Sequence, residues 1–250
     1  MKVLLTSDTH YGLNGKTHSK HSKFWKKIQK EIETQDIKVL IWAGDVAVNK
    51  QRQFKRSIEQ AREHVDIPIL LVRGNHDFWD VLDRKDEQAG HRGFHRLEYL
   101  HQHLFKKYDI HHLERGPKVI DNVLFCGWDG WYGDADPPTN DAYNMFQDVQ
   151  GCPMHVFMSN RAWQQFDEIL AIDLTPYRAS VAVTHHNPYV NDKKWEKCCA
   201  NPKFYDIVKE RFDYFCCGHN HQRKDNVEDS CRVLNSGSDY NDPKYLIFEV

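Results

Sequence analysis

Five short segments carrying Asp, Asn and His each follow directly on a short apolar run, and this alternation constrains the fold more than any other feature of the chain. The runs Lys2–Leu5, Ile37–Trp42, Ile67–Val72, Ala179–Val183 and Tyr214–Cys217 lead into Asp8-Thr9-His10, Gly44-Asp45, Gly74-Asn75-His76-Asp77, Thr184-His185-His186 and Gly218-His219-Asn220-His221. Runs this short, rich in Val, Ile and Leu, read as strands buried on both faces; Val119–Cys126, Arg232–Leu234 and Tyr245–Val250 have the same character. Helical periodicity lies between them, over Lys20–Glu33, Gln51–His64, His95–Lys107, Ser159–Ala171 and Phe204–Arg211. In the first of these, Phe24, Trp25, Ile28 and Ile32 make one apolar stripe opposite Lys20, Lys23, Lys27 and Lys30. Strands alternating with helices predict an α/β fold. Ligands in open α/β sheets bind outside the carboxyl ends of strands, so the five clusters are placed to converge.

A chain of 250 residues, 40% of them hydrophobic, can bury a core without disulfides or a structural metal. No repeat or linker divides it, which predicts a single domain over 1–250. The seven cysteines are odd in number and include no C-x-x-C pair, as expected of reduced thiols rather than a disulfide framework. No apolar run approaches the ~20 residues that span a bilayer. The N-terminus turns polar at Thr6 before a signal-peptide core could form, so a cytoplasmic location without membrane association is expected. A net charge of −2 gives no general pull toward nucleic acid.

In this order, D-x-H, G-D, G-N-H-D, a His after a strand and G-H-x-H, the segments resemble the calcineurin-like metallophosphoesterase superfamily, from Asp8 to His221. Asn235-Ser236-Gly237-Ser238 resembles the turn that follows G-H-x-H there. The resemblance implies an α/β fold with a two-layer mixed β-sandwich core flanked by helices, a four-layer αββα arrangement, and a dinuclear metal centre in a cleft on one edge. Carried over by position, Asp8, His10 and His221 would hold one ion and Asn75, His185 and His219 the other, with Asp45 bridging. Mixed nitrogen and oxygen donors suit Mn²⁺, Fe or Zn²⁺ better than Ca²⁺ or Mg²⁺. Two such ions can clamp a phosphate and hold a hydroxide nucleophile between them. His76, beside the ligand Asn75, is the natural general acid for the leaving alkoxide. His185 and His186 are adjacent, and side chains leaving a strand alternate, so one alone should reach the metal. The family pattern favours His185 and leaves His186 to support the ligands from behind or to meet the substrate.

The reading is a metal-dependent phosphoesterase acting on a small-molecule or nucleotide phosphodiester. The alternatives are a nuclease or phosphomonoesterase of the same superfamily, or an inactive binding protein on this fold. Val48 stands where the Ser/Thr protein phosphatase branch carries an acid, and Asp77 where that branch carries Glu, which argues against a phosphoprotein substrate. All seven ligand positions and His76 are filled, more than a binding protein needs.

Two further stretches qualify as substrate walls. Between Thr9 and Lys30 there are six lysines and no acidic residue, so Lys20 and Lys23 could form an anion-attracting rim. From Val119 to Asn160 there are six aspartates, no Lys or Arg, and the aromatics Trp128, Trp131 and Tyr132, an expected insertion that could contact an organic group. His18, His21, His91, His95, His101, His103, His111 and His112 read as surface histidines.

Overall fold

The structure, a computed structural model, describes residues 1–12, 17–48, 51–78, 87–131, 154–187, 202–240 and 242–250. The first sheet contains β1 (Lys2–Thr6), β2 (Ile37–Ala43), β3 (Ile69–Val72), β4 (Ile110–His112) and β11 (Tyr245–Glu249) in the order β11-β1-β2-β3-β4. All its pairings are parallel except β11 with β1. The second sheet contains β5 (Lys118–Ile120), β6 (Val123–Gly127), β7 (Ala179–Val183), β8 (Tyr214–Cys217), β9 (Lys224–Glu228) and β10 (Cys231–Asn235) in the order β5-β6-β7-β8-β10-β9. Its middle pairings are parallel and its two edge pairings antiparallel.

The period-2 alternation of each strand divides its side chains between two cores. Val3 and Leu5 of β1, Val39 and Ile41 of β2, and Leu70 and Val72 of β3 meet Val123, Phe125, Val181, Val183, Cys216 and Leu234 between the sheets. The intervening Leu4, Leu40, Trp42, Ile69 and Leu71 face outward, under α1 (Thr17–Gln35), α2 (Gln51–Arg62) and the last turns of α3 (Glu87–Lys107), through Trp25, Ile28, Phe54, Ile58, Leu104 and Phe105. On the far side, α4 (His155–Leu170) and α5 (Pro202–Arg211) set Met158, Phe166, Phe204 and Val208 against Trp128, Phe215 and Val233. The result is the expected mixed α/β architecture: two mixed sheets face to face with helices outside both.

The sequence reading departs from the structure in four main places. Val119–Cys126 is not one strand: β5 and β6 form a hairpin about Asp121 and Asn122, whose φ angles of 49° and 60° give the left-handed turn a tight hairpin needs. The strands β4 and β9 were not anticipated. β4 is three residues long and two of them are His, while β9, Lys-Asp-Asn-Val-Glu, is a polar edge with no hydrophobic run to reveal it. α3 begins at Glu87, well before its predicted start, because Gly90 and Gly93 interrupt the apolar stripe. Among the described residues, no helix is long and apolar enough to cross a membrane.

Candidate metal centre

The carboxyl ends of β1, β2, β3, β7 and β8 meet at one edge of the sandwich, stitched by main-chain bonds. Asp8 N donates to Gly44 O at 3.0 Å, His10 N to Asp45 O at 3.0 Å and Gly218 N to His185 O at 2.9 Å. Asp8, His10, Asp45, His219 and His221 have φ of 50°, 44°, 51°, 71° and 55°. This left-handed region costs a side-chain-bearing residue about 1–2 kcal/mol, and strain of this kind gathers where the surrounding structure enforces it for function. In D-x-H and H-x-H alike, it falls on both donor residues of the motif.

The donor atoms stand at spacings that suit shared ions. His10 Nε2 lies 3.3 Å from His221 Nε2 and 3.6 Å from Asp45 Oδ2. His185 Nε2 is 3.4 Å from Asp45 Oδ2 and 3.1 Å from Asn75 Oδ1, and His221 Nε2 is 3.4 Å from Asp8 Oδ1. Two ligands at ~2.1 Å from one ion and roughly at right or tetrahedral angles stand ~3.0–3.4 Å apart. Asp8, His10 and His221 form one group with donors all within 4.8 Å, Asp8, Asp45 and His185 a second, and His10, Asp45 and His76 a third. The Asp45 carboxylate thus belongs to groups on both sides. Asp8 and Asp45, at 0% and 2% exposure, are two like charges buried side by side. Such a pair calls for cations, and the donor set fits divalent ions.

The mutual charges of the donors set their protonation. Burial would raise the Asp45 carboxyl, but the charges of His185 and His76 hold it well below the usual range. Burial likewise opposes the ionised form of Asp8, and the hydrogen bond with His221 brings it below its ordinary value. Burial pushes His10 down to about 4 despite Asp45. His185 goes the other way, up to about 10, because Asp45 outweighs the desolvation of its ring. The Asp45 carboxylate thus favours a proton on His185. Its Nδ1 donates to Ala43 O at 2.9 Å, so Nε2 is the nitrogen that faces Asp45. A backbone carbonyl on the outer nitrogen is the common support of a metal-bound His. His221 has the carboxylate version, with Nδ1 3.3 Å from Asp239 Oδ1.

Close packing around the loops explains two glycines. A Cβ at Gly74 would lie 2.2 Å from Asp45 Oδ1, and one at Gly44, where φ is +79°, would lie 2.5 Å from His185 Nδ1. Gly74 itself has an ordinary φ of −111°. Space rather than backbone conformation is what requires glycine at that position. Asp77 ties the second and third segments together, accepting from Gly74 N at 2.9 Å, Val46 N at 3.1 Å and Ala47 N at 3.3 Å. Asn235 supports the last segment through Nδ2 to Gly218 O at 2.9 Å.

His76 lies at this centre, 7% exposed, with its amide donating to Asp45 Oδ1 at 3.0 Å and its ring 4.5 Å from that of His10. His186 departs from the expectation of diverging neighbours. β7 ends at Val183 and His185 and His186 lie in a bend, so strand alternation no longer applies. Their ring centroids are 5.0 Å apart and stand 5.2 and 4.8 Å from that of His219, and all three residues offer donors within 4.8 Å. His186 Nδ1 donates to Asp129 O at 2.9 Å, the same kind of support His185 has.

The aromatic wall is corrected. Trp128 and Trp131 are fully buried in the core beneath α4 and α5, with Trp131 edge-on to His186 at 5.2 Å, so they face the protein interior rather than solvent. Asp129 is buried too and pairs with Arg161, which also bonds Glu114 at 2.6 Å; Glu114 in turn grips Arg73 at 2.7 Å. Tyr132 and the centre of the expected insertion lie outside the described residues. Lys20 and Lys23 stand exposed on α1, and no contact among the described residues ties them to the cluster. Of the histidines read as surface residues, His21, His101 and His112 are buried: His101 stacks on Phe54, and His112 pairs with Glu114. The sequence reading also missed Asp239 and Tyr240. They follow the Asn-Ser-Gly-Ser turn, and only the fold brings them back over the site.

A family model of calcineurin-like phosphoesterases matches residues 1–223, and the chain belongs to that family. It is accordingly a metal-dependent hydrolase of phosphoesters. Among solved structures, phosphopantetheinyl hydrolase from Mycobacterium tuberculosis is similar in fold, with TM-score 0.65, 15% identity, and 94% of this chain and 88% of that one covered. A dimetal phosphatase from Danio rerio is similar at TM-score 0.54 and 13% identity, with 94% and 86% covered. Among curated proteins, none matches the sequence.

Proposed function

We propose that this protein hydrolyses a small-molecule or nucleotide phosphodiester at a dinuclear centre. Asp8, His10 and His221 would hold one ion and Asn75, His185 and His219 the other, with Asp45 between them. The observation that carries this reading is the convergence of seven donor residues, Asp45 among them, from five strand ends at one edge of the sandwich. Two divalent ions, when bound, supply Lewis acidity that neutralises the phosphate and activates water. Mn²⁺ is the preferred candidate, with Fe or Zn²⁺ as alternatives, because the set mixes imidazole nitrogens with carboxylate and amide oxygens.

The chain's own groups divide the remaining work. His76, close to Asp45 yet reaching the surface of the cluster, would donate a proton to the departing alkoxide. Lys20 and Lys23 would draw the anion toward the site, a role supported by their exposure and by the lack of acidic neighbours in that stretch. His186 fits a metal donor better than a phosphate donor: the proton on Nδ1 leaves Nε2 a lone pair, and a phosphate oxygen offers nothing to it. The buried free cysteines Cys126, Cys216, Cys217 and Cys231 support a reducing, cytoplasmic setting.

Fold alone does not choose a substrate, since similar folds serve a phosphopantetheinyl hydrolase and a dimetal phosphatase. The test is hydrolysis of bis-p-nitrophenyl phosphate and p-nitrophenyl phosphate by Mn²⁺-loaded protein. The diester should give the higher kcat/KM by about tenfold or more. Faster monoester turnover would reverse the assignment, and no turnover with any divalent ion would remove it.

A further inference from the structure

We infer that Tyr240 is a platform for a planar aromatic or heteroaromatic group of the phosphoester, a conclusion that rests on the hydrolase reading above and narrows its substrate class. Three observations carry it. The first is position. The Tyr240 ring lies 4.5 Å from the His10 ring at a shallow 36°, 4.7 Å from that of His221 edge-on, and 6.2 Å from that of His76. It therefore touches ligand candidates of one ion and borders the proposed acid. A phosphate held at this centre places one of its ester groups within reach of that ring.

The second observation is exposure. His10, Asp8 and Asp45 are buried, while Tyr240 is 41% exposed. A large ring that packs on the site histidines while keeping this much of its surface exposed gives an incoming group an apolar face beside a charged centre. Stacking on such a ring is tolerant of the particular ring system, because every aromatic has a π-face.

The third is rigidity. The connection from β10 to β11 that carries Tyr240 crosses from one sheet to the other and is fastened on both sides. Asp239 and Asp242 exchange main-chain bonds of 3.2 and 2.9 Å, and Tyr240 N donates to Asp239 Oδ1 at 2.7 Å. Ser238 Oγ donates to Lys244 O at 3.0 Å and accepts from Lys244 N at 2.9 Å, and Thr6 Oγ1 of β1 donates to the same carbonyl at 2.8 Å. Asp239 also holds the outer nitrogen of His221. A ring fixed in this way spends little ordering entropy when a ligand stacks on it, which is how preorganised contacts gain affinity.

Binding of two non-hydrolysable dianions to Mn²⁺-loaded protein tests the inference, with phenylphosphonate and methylphosphonate compared by calorimetry. They share the phosphonate and differ in the ring. Wild type should prefer phenylphosphonate about tenfold, within the range expected for an aromatic pair plus its buried area. Tyr240→Phe should keep that preference, and Tyr240→Leu should cut it to about twofold while methylphosphonate affinity changes by less than about twofold. A preference unchanged in Tyr240→Leu, or none in wild type, would overturn the platform role. Parallel weakening of both ligands in Tyr240→Leu would also overturn it, by showing that the ring supports the metal ligands instead. No binding of either phosphonate to the metal-loaded wild type would reject the phosphoester reading as well, and that outcome is distinct from the other three.

Discussion

The amide of His219 donates to both carboxylate oxygens of Asp8, at 3.0 and 3.1 Å, and so fastens the last donor segment directly to the first. One side chain thereby orients its own oxygens and fixes the backbone of a second ligand candidate from the other sheet. Asp8→Ala should therefore do more than remove a donor. It should lower metal affinity at the His219 side as well, which a titration with Co²⁺ followed by its visible absorption would reveal as loss of both binding phases.

His76→Ala should leave metal content unchanged and lower kcat by about 10²–10⁴, the usual worth of a general acid. The loss should shrink with p-nitrophenolate as leaving group and grow with an alkoxide, whose departure needs the proton. Equal losses on both would assign His76 to phosphate positioning alone.

Metal binding should release protons, because His185 holds one up to about pH 10 in the metal-free protein, through the attraction of Asp45 that outweighs its burial. The sign follows: affinity should rise with pH across the range from 6 to 9, as the competing proton becomes easier to displace. Calorimetry of Mn²⁺ binding in buffers of different ionisation enthalpy checks this, and pH-independent affinity would contradict it.

A buried ion network sits behind the third donor segment. Arg73, fully buried, bonds Glu114 through Nε and Nη2 at 3.1 and 2.7 Å and also contacts Glu98. Burial would raise both glutamates, but Arg73 holds Glu98 below, and Glu114 well below, their ordinary values. A carboxyl depressed in the folded state stabilises the fold above its unfolded pKa, ~4.3 for Glu, and loses that contribution as pH falls through the folded value. The contribution of this network, read as the difference in melting temperature between wild type and Glu114→Gln, should therefore hold from pH 7 to about 5 and shrink below about 4.5. Glu114→Gln should cost about 3–5 kcal/mol at pH 7, since it leaves Arg73 buried without its main counter-charge. A melting temperature unaffected by that change would show that the network carries no stability.

The strands that carry chemistry were legible because each is a short apolar run punctuated by donors, and both sheets' central strands are of that kind. The same rule hid β4 and β9, where two histidines or five mostly polar residues make the pairing and no apolar run exists. At the site, residue types and spacing marked the donors, but two matters depended on backbone angles. His186 turns in beside His185 because the chain bends there, and the left-handed φ values of Asp8, His10, His219 and His221 set where alternate residues aim. Trp128 and Trp131 misled for a different reason. An aromatic, acidic stretch reads as a surface wall unless it is known that Arg161 and Glu114 enclose Asp129 within the fold.

The central claim is a pair of ions sharing Asp45, and counting bound metal in wild type and Asp45→Asn tests it most directly. After loading with Mn²⁺ and exhaustive dialysis, elemental analysis should find close to two ions per wild-type chain and substantially fewer than one in Asp45→Asn, because that substitution weakens both sites together. One ion or none in wild type, or one firmly retained ion in Asp45→Asn, would contradict the account.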